Sequence, residues 1–207
     1  MIEAEPVIFV VDDDASVRKS LARLLGSHGL TVETFDSAEQ FLKRESYDGT
    51  GCIILDVRMP GLSGIALHDE LARTDYHVPV IFITGHGDIP MGVEAMKKGA
   101  SDFLPKPFEE SQLLDAVDRA LEKSARDRAD RTEAERARMR IDRLTPRERE
   151  VLPYIIAGML NKQIAFKLDI AEKTIKVHRG HIMEKLGVDS VADLVRFADK
   201  AAIKPSE

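Results

Sequence analysis

The chain has 207 residues, 43% of them hydrophobic and 32% charged, with a formal net charge of −6, a composition of ordinary globular type and long enough for one or two domains. Its single cysteine, Cys52, rules out an intrachain disulfide and reads as a buried, inert thiol in a reducing cytoplasm. No basic region followed by an apolar core opens the chain, and no run approaches ~18 apolar residues, which argues against secretion and against a membrane span. The charge is uneven: −9 over residues 1–110, +1 over 111–140 and +2 over 141–207. An acidic front and a mildly basic back predict two modules with different partners.

Val7-Ile8-Phe9-Val10-Val11 is a short, β-branched, wholly apolar run that ends in Asp12-Asp13-Asp14, and it reads as a central strand. Val17, Leu21, Leu24 and Leu25 recur at helical spacing until Gly26 and Gly29 stop the pattern. A second strand follows over residues 30–35, then a Ser37 cap and a short helix with Phe41 and Leu42 turned inward. Cys52-Ile53-Ile54-Leu55 is an apolar run closed by Asp56 and broken at Pro60-Gly61, the pattern of a strand buried on both faces. Leu67 and Leu71 mark a third helix, residues 79–83 a fourth strand finishing in Thr84, residues 89–98 a fourth helix stopped by Gly99, and Asp102-Phe103-Leu104 a fifth strand before Pro105-Lys106-Pro107. Strands alternating with helices in this way predict an α/β fold, a doubly wound five-stranded parallel sheet with right-handed crossovers.

In such a sheet the strand ends share one edge, where open α/β folds place their ligands. Asp12 and Asp13, Asp56, Thr84 and Lys106 are all predicted there. Singly, Thr84 reads as a turn former, Lys106 as a solvated loop charge and the aspartates as a helix cap. Together they supply a carboxylate nucleophile, a cation, a hydroxyl and enough negative charge to call for a hard divalent ion, magnesium being the expected one. These are the parts that hold a transferred phosphoryl group. No Walker loop, zinc-binding Cys/His set or Ser/His/Asp order stands out.

The set resembles the receiver domain of two-component response regulators. The resemblance implies that Asp56 accepts a phosphoryl group from a sensor histidine kinase, and that Mg2+ is held by Asp13 directly, by Asp12 largely through water, by Asp56, and by the backbone carbonyl of Arg58. It also implies that Thr84 and Lys106 contact the phosphoryl oxygens, that Thr84 and Phe103 form the switch, and that the Lys106-Pro107 peptide is cis. The run Gly85-His86-Gly87-Asp88-Ile89-Pro90-Met91 is similar to the FixJ branch.

Between Pro107 and Pro146 there is neither Gly nor Pro. Leu113, Leu114, Val117 and Leu121 form an apolar stripe that then fades, while Asp115/Arg119, Glu122/Arg126 and Asp127/Arg131 set opposite charges four residues apart. The fifth helix is expected to run on into an exposed helical connector, the other reading being a flexible charged linker. Its length would support pairing of two chains, although sustained apolar heptads are missing.

Thr145-Pro146-Arg147-Glu148 encodes a capping box with Pro at the first helical position. Gly158 ends that helix, Asn161 is expected to cap the next, residues 171–186 form a third stopped by Gly187, and Ser190 caps the last. Short helices on short turns predict a small all-α bundle containing a helix-turn-helix. The third helix carries Lys173, Lys176, His178, Arg179 and Lys185, a basic face that suits a major groove. Asn161-Lys162-Gln163-Ile164-Ala165 and Thr174-Ile175-Lys176-Val177-His178 resemble the LuxR-type helix-turn-helix of NarL/FixJ regulators. By that resemblance Lys176 and Val177 read bases, while Lys162, Thr174, Arg179 and Lys185 approach phosphates. Gly180 departs from a relative that has a basic contact there.

The expected organisation is a receiver over residues 1–121, a helical linker over 122–140 and a DNA-binding domain over 141–207. The expected function is a cytoplasmic, non-enzymatic transcription factor in which phosphorylation promotes homodimerisation on double-stranded promoter DNA, with RNA polymerase as a further partner and no membrane. Two alternatives share the residues. One is a magnesium phosphohydrolase using an aspartyl-phosphate; enzymes of the haloacid dehalogenase type carry DxDxT after their first strand, where this chain has Asp12-Asp13-Asp14-Ala15-Ser16 instead. The other is a DNA-binding regulator independent of phosphorylation.

Overall fold

The computed structural model describes residues 5–74, 76–85 and 89–206. The chain divides into two compact units, Met1–Arg128 and Ala129–Glu207. The first contains β1 (Val7–Val11), α1 (Ala15–Ser27), β2 (Thr31–Phe35), α2 (Ala38–Leu42), β3 (Gly51–Asp56), α3 (Gly64–Leu71), β4 (Val80–Thr84), α4 (Ile89–Lys97) and β5 (Asp102–Pro105). All strand pairs are parallel, in the order β2-β1-β3-β4-β5. The doubly wound five-stranded sheet expected from the strand-helix rhythm is therefore the fold. His86, Gly87 and Asp88, within the run similar to the FixJ branch, lie outside the described residues.

Alternate residues of the central strands point to opposite faces, so both need cover. Ile8, Val10, Cys52, Ile54, Ile81 and Ile83 pack under Leu21 and Leu25 of α1 and Leu113, Ala116 and Val117 of α5 (Glu110–Ile141). Phe9, Val11, Ile53, Leu55 and Phe82 pack under Phe41 of α2, Leu67 and Leu71 of α3 and Ala95 of α4. That double burial is why β1, β3 and β4 read as unbroken apolar runs, whereas the edge strand β2 keeps exposed positions. Cys52 is fully buried, and burial pushes its thiol up to about 12, so it stays protonated and inert as expected.

α5 is continuous over 32 residues, in keeping with a segment that lacks Gly and Pro. It is not simply a solvated rod. Ser124 is 3% exposed and its hydroxyl accepts the Gly51 N–H at the start of β3, and Arg128 donates to the Asp48 carbonyl. Ala137, farther along, is 4% exposed within the second unit.

The second unit adds α6 (Pro146–Ile156), α7 (Asn161–Leu168), α8 (Glu172–Leu186) and α9 (Val191–Lys200) around Val151, Leu152, Ile155, Ile164, Ile175, Ile182, Leu186 and Leu194. The Thr145/Glu148 capping box opens α6 and Ser190 caps α9, both as the sequence predicts. The expected Asn161 cap needs correcting: Asn161 is the first helical residue of α7, and the Gln163 side chain instead accepts the Leu160 N–H. Asp169, in the left-handed conformation at φ 52°, turns the chain sharply between α7 and α8.

Candidate functional site

β1, β3, β4 and β5 end on one edge of the sheet, and each delivers a polar group there. Asp12 follows β1 and is 1% exposed, Asp56 closes β3 at 6%, and Thr84 closes β4 at 1%. Lys106, just past β5, is half-buried, and its ammonium donates to Asp12 Oδ2 and Asp56 Oδ1, both at 2.8 Å. Backbone groups take the other carboxylate oxygens: Asp14 N–H donates to Asp12 Oδ1 and Arg58 N–H to Asp56 Oδ2, each at 2.8 Å. The Lys106 N–H donates to the Thr84 carbonyl at 2.6 Å, and the Lys106-Pro107 peptide is cis.

Burial pushes the Asp56 carboxyl above its ordinary value and the Asp12 charge adds to this, while Lys106 and the Arg58 N–H offset part of it. Lys106 goes up as well: burial opposes its charge, but the bonds to Asp12 and Asp56 outweigh burial and hold the ammonium protonated. Two buried carboxylates thus share one cation and leave one negative charge on the edge. Asp13 is exposed. Among the described residues no group of three or more His, Cys, Asp or Glu side chains is gathered closely enough to hold a metal ion. The donors nonetheless fit a hard divalent cation by charge and type: carboxylate oxygens on two adjacent strands, with excess negative charge in a desolvated position.

Three residues that sequence reasoning did not single out shape this edge. Arg18 on α1 donates to the Asp12 carbonyl at 2.7 Å. Gly64 opens α3 so close to β3 that a Cβ there would lie 2.1 Å from the Asp56 carbonyl oxygen. Gly92 on α4 makes room for the half-buried Phe103, whose ring would meet a Cβ at 2.7 Å. Their partners lie only 6 to 11 residues away but on a neighbouring element or the loop after one, so periodicity within one element carries no signal for any of them.

In the second unit α8 turns Ile175, Ile182 and Leu186 into the core and leaves Lys173, Lys176, Val177, Gly180 and Glu184 on the opposite, exposed side. Val177 is 47% exposed, beside the lysines of the same face. Lys162 and Thr174 are also exposed. Arg179 is half-buried and donates to Asn161 Oδ1 at 3.0 Å, tying α8 to α7. Lys185 gives its ammonium to Glu148 Oε2 at 2.6 Å. Glu148 is 2% exposed. Burial alone would raise its carboxyl, but the bonds from Lys185 and from Thr145 hold it below the ordinary range. Of the six positions expected to meet DNA, four are therefore open and two are engaged within the protein.

Residues 8–118 match the response regulator receiver domain, and residues 142–198 match the luxR family of bacterial regulatory proteins. The chain belongs to the response regulator family. Nodulation protein W of Bradyrhizobium diazoefficiens is 47% identical over 197 residues, covering 95% of this chain and 87% of that protein. The structure of the response regulator StyR is 51% identical with a TM-score of 0.82, covering 95% of this chain and all of that one. Full-length FixJ from B. japonicum is 42% identical with a TM-score of 0.57, covering 95% and 97%. This response regulator is thus a transcription factor that joins a receiver to a LuxR-type DNA-binding domain, and a receiver implies a sensor kinase as partner. Receiver domains generally bind Mg2+ at the phosphorylation site. No described helix is long and apolar enough to cross a membrane.

Proposed function

We propose that Asp56 is the phosphoacceptor and that its phosphorylation governs dimerisation and DNA binding. The observation that carries the reading is the Lys106 ammonium placed between Asp12 and Asp56 beside buried Thr84. An Asp56 carboxylate oxygen attacks phosphorus, the bond to the kinase histidine nitrogen breaks, and that nitrogen keeps the electron pair. The ammonium then loses one carboxylate partner to the phosphoryl group and contacts its oxygens, and the Thr84 hydroxyl turns toward them. Asp12, Asp13, Asp56 and the Arg58 carbonyl would hold Mg2+, which would offset the charge of the phosphoryl oxygens when bound.

Thr84 pairs with Pro105 across β4 and β5, and Phe103, two residues earlier on β5, lies against Gly92, so a shift of Thr84 would be passed along β5 to the face between α4 and β5. That face is the proposed dimer surface. The dimer presents two copies of α8 to paired half-sites in promoter DNA, where Lys176 and Val177 read bases, Lys162 and Thr174 meet phosphates, and Arg179 and Lys185 act mainly by fixing α8 in place. Residues 1–121 serve as receiver, 122–140 as helical linker and 141–207 as DNA-binding domain, in the cytoplasm, with RNA polymerase as the downstream partner and no catalytic turnover of a substrate. Sedimentation of the full chain with Mg2+, with and without acetyl phosphate, tests this reading: a shift from monomer to dimer that Asp56→Asn lacks supports it, and identical profiles contradict it.

A further inference from the structure

Within the second unit, the last turns of α5 and the face of α9 border a half-open groove of about 370 Å3 whose arginine and lysine side chains are exposed, inside the size range of small-molecule sites. Four cations line it, Arg136, Arg140, Arg196 and Lys200, against two anions, Glu133 and Asp193. The anions are already committed: Asp193 to Arg196 at 2.5 Å and Glu133 to Lys200 at 2.6 Å. Among the described residues Arg136 and Arg140 have no carboxylate partner, and Arg140 donates to the neutral Leu186 carbonyl at 3.3 Å.

Arg136 and Arg140 are exposed residues one helical turn apart on α5, a spacing at which like charges repel. Two guanidinium forks side by side match an oxyanion that accepts bidentate bonds from both. Ala137, 4% exposed, lies between them, and half-buried Val188 and Phe197 form an apolar wall. An inorganic ion would leave that wall uncovered. The groove is also removed from the base-reading end of α8: Val188 lies past the end of that helix at Leu186, which is itself nine residues, roughly 13 Å at helical rise, beyond Val177.

We propose that this groove binds a small phosphate monoester with an apolar body, its dianion between Arg136 and Arg140 and its body against Phe197. Because Arg136 and Arg140 belong to α5 while Phe197 belongs to α9, such a ligand selects the arrangement in which the two helices are packed and stabilises it by mass action. The site would give this regulator a chemical input separate from Asp56.

Full-length protein labelled with 15N, in Mg2+-free buffer at fixed ionic strength, is titrated with phenyl phosphate. The expected result is saturable shifts of the Val188 and Phe197 amides and of the Arg136 and Arg140 side-chain N–H groups. Inorganic phosphate should bind more weakly, and the double variant Arg136→Gln/Arg140→Gln, checked for an unchanged melting curve, should lose at least ~10-fold in affinity. Arg138→Gln, on the same helix but outside the groove, should titrate like the wild type. Shifts that do not saturate, equal binding of inorganic phosphate, or an undiminished double variant would overturn the proposal. So would the same amides responding to a random DNA duplex but not to phenyl phosphate, since the groove would then be a contact for the nucleic-acid backbone.

Discussion

Gly180 offers a test in which stability and function should move in opposite directions. It lies in the interior of α8, on the exposed side with Lys173, Lys176 and Val177, and a Cβ added there would meet nothing within 4 Å. Nothing inside the protein calls for glycine. A helix-interior glycine costs about 1 kcal/mol relative to alanine, so Gly180→Ala should recover nearly all of that without a clash. In a unit of this size the melting midpoint should rise by about 4–8 °C. Close approach of the α8 backbone to a duplex would account for the absent side chain, and that is the contact under test. A methyl group in such an interface costs on the order of 1–3 kcal/mol, or roughly 5- to 150-fold in affinity. Thermal melts followed by circular dichroism and fluorescence anisotropy on a duplex selected by the wild-type chain from a random library measure both effects. A stabilised variant that binds DNA as tightly as the wild type would refute the close approach, and a destabilised variant would refute the open surroundings of Gly180.

Other expectations follow from particular contacts. Lys176→Ala should weaken binding to the selected duplex by about 1–3 kcal/mol while leaving random duplex binding nearly unchanged; a uniform loss would make Lys176 a phosphate contact. Glu148 has its folded value below the ordinary 4.5, so its contribution is present in full above that value and is lost as pH falls through the lower, folded one. Denaturant melts of the second unit should therefore weaken on acidification below about pH 4.5, and Glu148→Gln should remove that part of the dependence. Gly64→Ala forces a Cβ against the Asp56 carbonyl and should cost about 1–3 kcal/mol in the first unit, with slower phosphorylation; a variant as stable as the wild type would show that α3 can withdraw from β3 freely.

The parts of this molecule that could be read in the sequence are those governed by local chemistry. β1, β3 and β4 are apolar throughout because helices cover both of their faces, and Thr145-Pro146-Arg147-Glu148 encodes the start of α6 within four residues. Parallel pairing then places Asp12, Asp56, Thr84 and Lys106 on one edge from topology alone. Pairings across long stretches of chain were not legible. Lys185 looks like any basic residue on a recognition helix until Glu148, 37 residues earlier, is found beneath it. Asn161 has the chemistry of a cap, yet Gln163 performs that task and Asn161 receives Arg179 from another helix. Likewise the connector segment shows its charge pattern but not that Ser124 holds the Gly51 N–H of β3. Nor could charge repulsion among three aspartates reveal that Lys106 gathers two of them while Asp13 stays in solvent.

The most direct test of the whole account is peptide mapping by mass spectrometry of the full chain after brief treatment with Mg2+ and acetyl phosphate. One phosphoryl group on the peptide containing Asp56, absent from Asp56→Asn and strongly reduced when Mg2+ is removed, is the predicted result. Label on a different residue, or equal label in wild type and variant, would contradict it.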